Sequence, residues 1–216
     1  MNRIIHGDCL AILPTLPARS VDYVLTDPPY LVNYCDRDGR RIANDKDDGW
    51  LLPAFKETFR VLRKDAFCVS FYNWNRVDRF LRAWRAAGFH AVGHIVFAKS
   101  YQSAGKFLRY RHELAYLLAK GQPVLPDDPL PDVLPWKYSG NRLHPTQKPV
   151  ESLTPLIESF CPSGGIVLDP FCGSGSTCVA ARQTGRDYVG IELDAKHHAT
   201  AVARLNRLVP TTRVAA

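Results

Sequence analysis

The sequence predicts an α/β fold, doubly wound around a mostly parallel sheet, on three observations. Short apolar runs alternate with longer amphipathic ones, the pattern of parallel strands covered by helices. One such run, IVLD at 166–169, passes through a glycine-bearing turn into a helix of small residues. An acid, Glu192, ends the next apolar run about 20 residues further on. In chain order, residues 3–6 are the first strand and 9–16 a helix. The buried run YVLT at 23–26 is a strand that halts at two prolines, which have no N–H to give a sheet. Helices at 50–62 and 75–87 flank a strand at 66–71, and further strands follow at 91–98 and 114–119. The run at 166–169, a helix at 177–184, a strand at 188–192 and a helix at 195–208 with apolar positions at helical spacing complete the chain. Together the strands make a seven-stranded sheet.

A chain of 216 residues, 46% hydrophobic, supports one well-cored domain over 1–216. Its formal charge of +7 suits a polyanionic partner, nucleic acid first, although a mildly basic soluble protein is the bland alternative. The start, MNRIIHGDCL, lacks the apolar core of a secretory signal, and no window approaches the roughly 20 apolar residues of a membrane span, so a cytoplasmic location is expected. The six cysteines form no Cys-x-x-Cys pair and have no His-x-x-x-His nearby, which argues against a zinc site or a disulfide framework. They read as reduced packing residues.

Two stretches break the rhythm. Residues 33–49 are charged and glycine-punctuated, which reads as a mobile surface loop. Residues 121–142 are rich in proline and acid and then turn basic and aromatic, without periodicity; neither stretch looks like a buried element.

The loop after 166–169 runs Phe171-Cys172-Gly173-Ser174-Gly175-Ser176. Its glycines let backbone approach a ligand, and the helix that begins there offers free N–H groups. Glu192 can take the two hydroxyls of a ribose. There is no Gly-Lys-Ser/Thr, and Asp169 at the head of the loop repels phosphate and attracts an amino group. A nucleoside ligand with an ammonium group and no phosphate fits; S-adenosylmethionine is one, and NAD is not.

The second informative phrase is Asp27-Pro28-Pro29-Tyr30. Proline removes donors and holds the preceding residue extended, so the loop presents acceptors only, the Asp27 carboxylate and fixed carbonyls. A matching substrate is a donor, such as the exocyclic amino group of a base, with Tyr30 offering a flat face for stacking. An ordinary strand-ending turn is the alternative for the tetrapeptide alone.

These phrases, with His6-Gly7-Asp8-Cys9, His144-Pro145-Thr146-Gln147-Lys148-Pro149, Gly185-Arg186 and Gly190-Ile191-Glu192, resemble the amino-group DNA methyltransferases, the N6-adenine and N4-cytosine enzymes, in the circularly permuted arrangement called the beta class. The resemblance spans nearly the whole chain. It implies a Rossmann-like, S-adenosylmethionine-dependent methyltransferase fold in which 166–169 is the first strand of the family sheet, 188–192 the second, 3–6 the third and 23–26 the fourth. First and fourth strands would be neighbours where strand order reverses, so the glycine loop and Asp27 would face one cleft.

By the same resemblance, Asp27 and the Pro28 carbonyl accept the amine hydrogens of a flipped base, within the catalytic set Asp27, Pro28, Pro29 and Tyr30. The cofactor, which leaves as S-adenosylhomocysteine, lies on Asp169, Phe171, Gly173, Ser174, Gly175 and Ser176. Its ribose meets Glu192, its adenine lies near Asp8 and Cys9, and Asp27 borders it. Thr146 and Lys148 stand beside its amino-acid end, where a lysine can pair with a carboxylate; a solvated surface charge is the alternative for Lys148. No metal is implied. The chain departs from the family at His197, where a tyrosine is usual, and at Pro155, which interrupts the helix expected after Pro149. Thr154-Pro155 can instead cap a helix starting there.

Asp at the first motif position is the adenine-type choice of the family, which favours N6-adenine over N4-cytosine. Cytosine C5 chemistry needs a thiolate, typically after proline, and no cysteine here follows proline. Double-stranded DNA contact is expected from Arg37, Arg40 and Arg41 in the 33–49 loop and from Lys106, Arg109 and Arg111, interleaved with aromatics in the 99–142 target-recognition segment. A solvated basic face is the alternative for each. The short segment implies a small recognition site or help from a homodimer partner. A cognate restriction endonuclease is a further partner to expect, and a bacterial or phage origin with nucleoid association fits. Rival functions are an inactive DNA-binding module of the same fold and an RNA or protein-glutamine amino-methyltransferase.

Overall fold

A computed structural model of the chain describes residues 2–34, 44–103, 107–138, 140, 143 and 146–208. Arg37, Arg40, Arg41, Lys106, His144 and Pro145 lie outside the described residues. Strands β1 (Asn2–His6), β2 (Tyr23–Thr26), β3 (Ala66–Phe71), β4 (His90–Ser103), β5 (Tyr110–Lys120), β6 (Val133–Trp136), β7 (Ile166–Asp169) and β8 (Asp187–Glu192) form one sheet. Their order is β1-β8-β7-β2-β3-β5-β4-β6. The first five in that order are parallel; β5 is antiparallel to both its neighbours, and β6 runs parallel to β4. Helices α1 (Cys9–Ile12), α2 (Leu51–Val61), α3 (Val77–Ala87), α4 (Val150–Phe160), α5 (Ser176–Gln183) and α6 (Ala195–Asn206) cover the two faces.

Alternation along the central strands sends side chains to both layers. Val24 and Cys68 join a core with Phe55 and Trp84 of α2 and α3, while Tyr23, Leu25, Phe67 and Val69 join another with Leu156 of α4 and Val179 of α5. That two-sided burial is why the central runs read as continuously apolar.

Three features differ from the sequence expectation. The sheet has eight strands rather than seven, because part of the 121–142 stretch pairs with β4. In β6 Leu134 and Trp136 are buried while Val133 and Pro135 are exposed, so four residues alternate correctly. Pro135 is tolerated because the strand lies at the sheet edge. Second, α4 runs unbroken through Pro155 instead of starting at it. An interior proline costs about 3 kcal/mol, whereas burying Leu153, Leu156 and Ile157 contributes about 1.5–3 kcal/mol each. Burial wins. Third, β4 and β5 run beyond the expected 91–98 and 114–119, into the 99–142 segment. Lys99 in this extension is buried and ion-paired to Glu113.

Strand order reverses between β7 and β2, which are paired directly, Tyr23 to Val167 and Val24 to Leu168. Open α/β sheets bind ligands beyond the carboxyl ends of the strands at such a point. Asp169 ends one strand of the pair, and Asp27 follows the other.

Candidate active site

The tetrapeptide Asp27-Pro28-Pro29-Tyr30 leaves β2 and lines a cleft. Tyr30 Oη donates to Asp27 Oδ1 at 2.7 Å, and Lys148 Nζ donates to Oδ2. Lys148 is buried, so the surface-charge alternative fails. It precedes α4 by two residues, and its ammonium lies 5.3 Å from the ring centre of Tyr30 and 5.0 Å from that of Phe71. Desolvation raises the Asp27 carboxyl above the ordinary aspartate value, and the Lys148 charge and the two hydrogen bonds oppose that rise.

The backbone just after the tetrapeptide is held by a residue the sequence did not single out. Asp45 is buried, and its carboxylate accepts the backbone N–H of Leu31 and of Tyr34 at 2.6 Å each, with Val32 at 3.4 Å. Leu31 and Asn33 have φ of 62° and 52°, a left-handed backbone unfavourable for such residues. Arg76 Nε adds a bond to the Leu31 carbonyl at 3.1 Å. The expected surface loop is therefore anchored at its described ends.

Across the cleft, Asp169 is buried and accepts the Phe171 N–H at 3.1 Å. Burial pushes its carboxyl up to about 7, against hydrogen bonds that favour the charge; nearby Asp27 adds to the rise. Gly173 and Gly175 take φ of 51° and 79°, and a Cβ on Gly175 would stand 3.1 Å from Cβ of Ala201 in α6. Here glycine is needed for both conformation and space. Glu192 ties the loop to the next turn, accepting Gly173 N–H at 2.7 Å through one oxygen and Asp194 N–H at 2.8 Å through the other. Arg204 of α6 supports the loop from behind through Ser176 Oγ at 3.0 Å and the Ser174 carbonyl.

Two adjoining cavities open between these loops. The larger, about 180 Å³, is lined by Asp8, Cys9, Thr146, Phe171, Glu192 and the whole Asp27 to Tyr30 tetrapeptide. The smaller is lined by Lys148, Asp169, Gly173, Ser174 and Ser176, and shares Asp27, Thr146 and Phe171 with the first. Residues far apart in sequence thus meet. Gly175 caps the N-terminus of α5 just behind them. Asp8 caps α1, accepting the Leu10 N–H at 2.9 Å. His197 also lines the larger cavity, so the departure from the family's usual tyrosine falls in the site rather than in remote packing. Asn44 and Asp194 line it too and carried no motif signal.

Cys9 faces this cavity, but burial and nearby Asp8 push its thiol up to about 12, leaving it neutral and a poor nucleophile. The five described cysteines, Cys9, Cys68, Cys161, Cys172 and Cys178, are free and buried. Among the described residues no cluster of three or more His, Cys, Asp or Glu is placed to hold a metal ion, and no helix is long and apolar enough to cross a membrane. Arg109 and Arg111 are exposed at the start of β5. Because β5 is antiparallel to β3, that start lies at the same carboxyl end of the parallel strands as the Asp27 loop. Beside them Trp74, 54% exposed, stacks with Tyr110 at 6.3 Å and 27°.

The cleft at the point where strand order reverses sets the Asp27-Pro28-Pro29-Tyr30 loop opposite the glycine turn and Glu192. Residues 21–203 match the DNA methylase family model that unites N6 and N4 enzymes, and the chain belongs to that family. It is 62% identical to the protein named "Putative methylase YubD" of Escherichia coli (strain K12) over 205 residues, covering 95% of this chain and 90% of that one. Among solved structures, the M1.HpyAVI–SAM complex matches with a TM-score of 0.77 at 24% identity, covering 95% of this chain and all of the other. The cytosine-N4-specific PvuII DNA methyltransferase matches with a TM-score of 0.79 at 17% identity, covering 96% and 88%. Both structures share this fold.

Proposed function

We propose that the protein transfers the methyl group of S-adenosylmethionine to the N6 amino group of adenine in double-stranded DNA, after the base is flipped into the cleft. The observation that carries this is Asp27, held in a donor-poor loop at the junction of two cavities, opposite the glycine turn and Glu192. The residues fit such a cofactor. Gly173, in a left-handed turn that lines the smaller cavity, lets backbone approach a ligand, Glu192 suits ribose hydroxyls, and the Asp169 carboxylate suits an ammonium better than a phosphate. Lys148 and Thr146 would stand at the amino-acid end, and Asp8 and Cys9 beside the adenine.

The cofactor supplies a sulfonium methyl, an electrophile that needs no metal. Asp27 and the Pro28 carbonyl would accept the two amine hydrogens, which turns the nitrogen lone pair out of conjugation; as the N–C bond forms the C–S bond breaks, S-adenosylhomocysteine leaves, and the methylated nitrogen sheds one proton. Tyr30 and Pro29 confine the base. Much of the acceleration then comes from positioning. Arg109 and Arg111, together with Arg37, Arg40, Arg41 and Lys106, would contact phosphates, with Trp74 and Tyr110 at the same end of the sheet.

Adenine is supported by aspartate, rather than serine, at the head of the tetrapeptide. N4-cytosine is the second reading, favoured by the fold likeness to the PvuII enzyme. Expression in a methylation-free host, followed by sequencing that separates N6-methyladenine from N4-methylcytosine, decides between them. A methylated adenine motif supports the proposal, a methylcytosine motif reverses the base, and unmodified DNA refutes activity on DNA. A cognate nuclease, or a second copy of the chain completing recognition, would fit the same enzyme.

A further inference from the structure

Lys148 lines the smaller cavity beside Asp27, which both cavities share. Its side chain is only 8% exposed, and it touches the carboxylate that the reaction depends on. A buried ammonium carries a desolvation cost that its carboxylate partner and the faces of Tyr30 and Phe71 offset. The remaining groups that act on Asp27 are neutral or anionic. Tyr30 donates its hydroxyl, while Glu113 of β5, itself paired with Lys99, and Asp169 at the end of β7 add negative potential. Asp45 acts on Tyr30 in the same sense. Among the described residues, Lys148 is therefore the cation that opposes protonation of Asp27.

That matters because Asp27 offers acceptors alone, for the amine hydrogen that the Pro28 carbonyl does not take, only while it is ionised. Once protonated it becomes a donor itself and meets the amine with an O–H. Desolvation in the cleft drives it that way. We propose that Lys148 is a positioning residue whose buried ammonium keeps Asp27 ionised and aimed, so that the tetrapeptide remains an acceptor at neutral pH. The inference rests on the role proposed for Asp27 in methyl transfer. Lys148 also lines the smaller cavity, so one cation serves the base-binding loop and the cofactor end together.

Carboxyl-carbon NMR of protein labelled with ¹³C-aspartate, using Asp27→Asn to assign the signal, follows Asp27 through a pH titration without any turnover. Lys148→Met retains the stem that packs on Tyr30 and Phe71, and should raise the Asp27 midpoint by about one to three pH units. Lys148→Arg should stay near the wild type. In single-turnover methyl transfer the acid limb should move upward by the same amount in Lys148→Met, with activity recovering at alkaline pH. An unmoved midpoint in folded Lys148→Met overturns the inference. So does an unmoved acid limb with the loss confined to cofactor affinity in a calorimetric titration. If the midpoint moves but the wild type methylates no DNA, the role of Asp27 fails and the charge pairing stands. Should Lys148→Met not fold, Lys148→Gln provides the same comparison.

Discussion

Removing the Asp45 carboxylate should disable the catalytic loop without disturbing the cofactor side. In Asp45→Ala the N–H groups of Leu31 and Tyr34 lose bonds of 2.6 Å, and Val32 a weaker one. A buried N–H left without a partner costs about 1–3 kcal/mol, so the two strong bonds together represent roughly 2–6 kcal/mol. Those bonds also offset the left-handed backbone at Leu31 and Asn33, which costs on the order of 1–2 kcal/mol each. The segment should relax locally rather than unfold the sheet, because the lost bonds hold a loop and no strand pairing, although Leu31 itself packs in the core with Phe55 and Trp84. Hydrogen exchange read at the amides of Leu31 and Tyr34 should accelerate by roughly 30-fold or more, with central-strand amides unchanged. A misplacement of about 1 Å at the reacting groups costs about 100-fold, so kcat should fall by that order while cofactor affinity holds within about threefold. Wild-type exchange at both amides together with wild-type turnover would refute the anchoring role.

The remaining predictions concern the two facing loops. Asp27→Ala should abolish methyl transfer, a loss of at least about 100-fold, yet keep cofactor binding by calorimetry near wild type; unchanged turnover would sink its assignment. Gly175→Ala and Gly185→Ala impose the same backbone penalty, at φ of 79° and 73°, but only Gly175 has a neighbour in the way. Urea unfolding should therefore find Gly175→Ala less stable than Gly185→Ala by about 1 kcal/mol or more, with weaker cofactor binding as well; equal losses would show that Ala201 gives way freely. Asp169 has a folded pKa of about 7 against an ordinary 3.8, so the folded state binds the extra proton between those values. Its contribution is full below about pH 4 and is lost as pH rises toward 7, by as much as about 4 kcal/mol. Wild-type stability measured relative to Asp169→Asn should fall across that window and flatten above it, and a rising or flat difference would refute the burial argument.

The parts legible in the sequence were those with local signatures. The runs at 23–26 and 166–169 are buried on both faces, hence continuously apolar, and their ends fell where the sequence put them. The glycine turn and the Asp27 tetrapeptide carry their constraint in adjacent residues. Asp45 does not. It sits in a charged stretch that looks solvated, and only the tertiary fold turns it toward Leu31 and Tyr34. Lys148 was visible as a motif residue but not as the partner of Asp27, 121 positions away. Strand β6 is four residues long with a proline, below the length at which alternation can be told from chance. Pro155 misled for the opposite reason: a local penalty was visible, while the tertiary burial that outweighs it was not.

The two loops of the cleft lie at opposite ends of the chain, the Asp27 loop near the start and the glycine turn near the end. What the cleft needs is that β7 and β2 be hydrogen-bonded neighbours with their carboxyl ends on one side. The chain then leaves β7 toward β8 and leaves β2 toward β3, in opposite directions, and the loops part to open a crevice. That requirement concerns spatial neighbours and is indifferent to where the chain begins. Here β1 closes against β8, from Asn2 on Tyr188 to His6 on Glu192, so the first strand carries Asp8 and Cys9 to the cavity beside Glu192. The permutation changes the order in which the strands are threaded while preserving the β7–β2 pair, and this is why the site remains intact. Disrupting that pair should disable both loops at once.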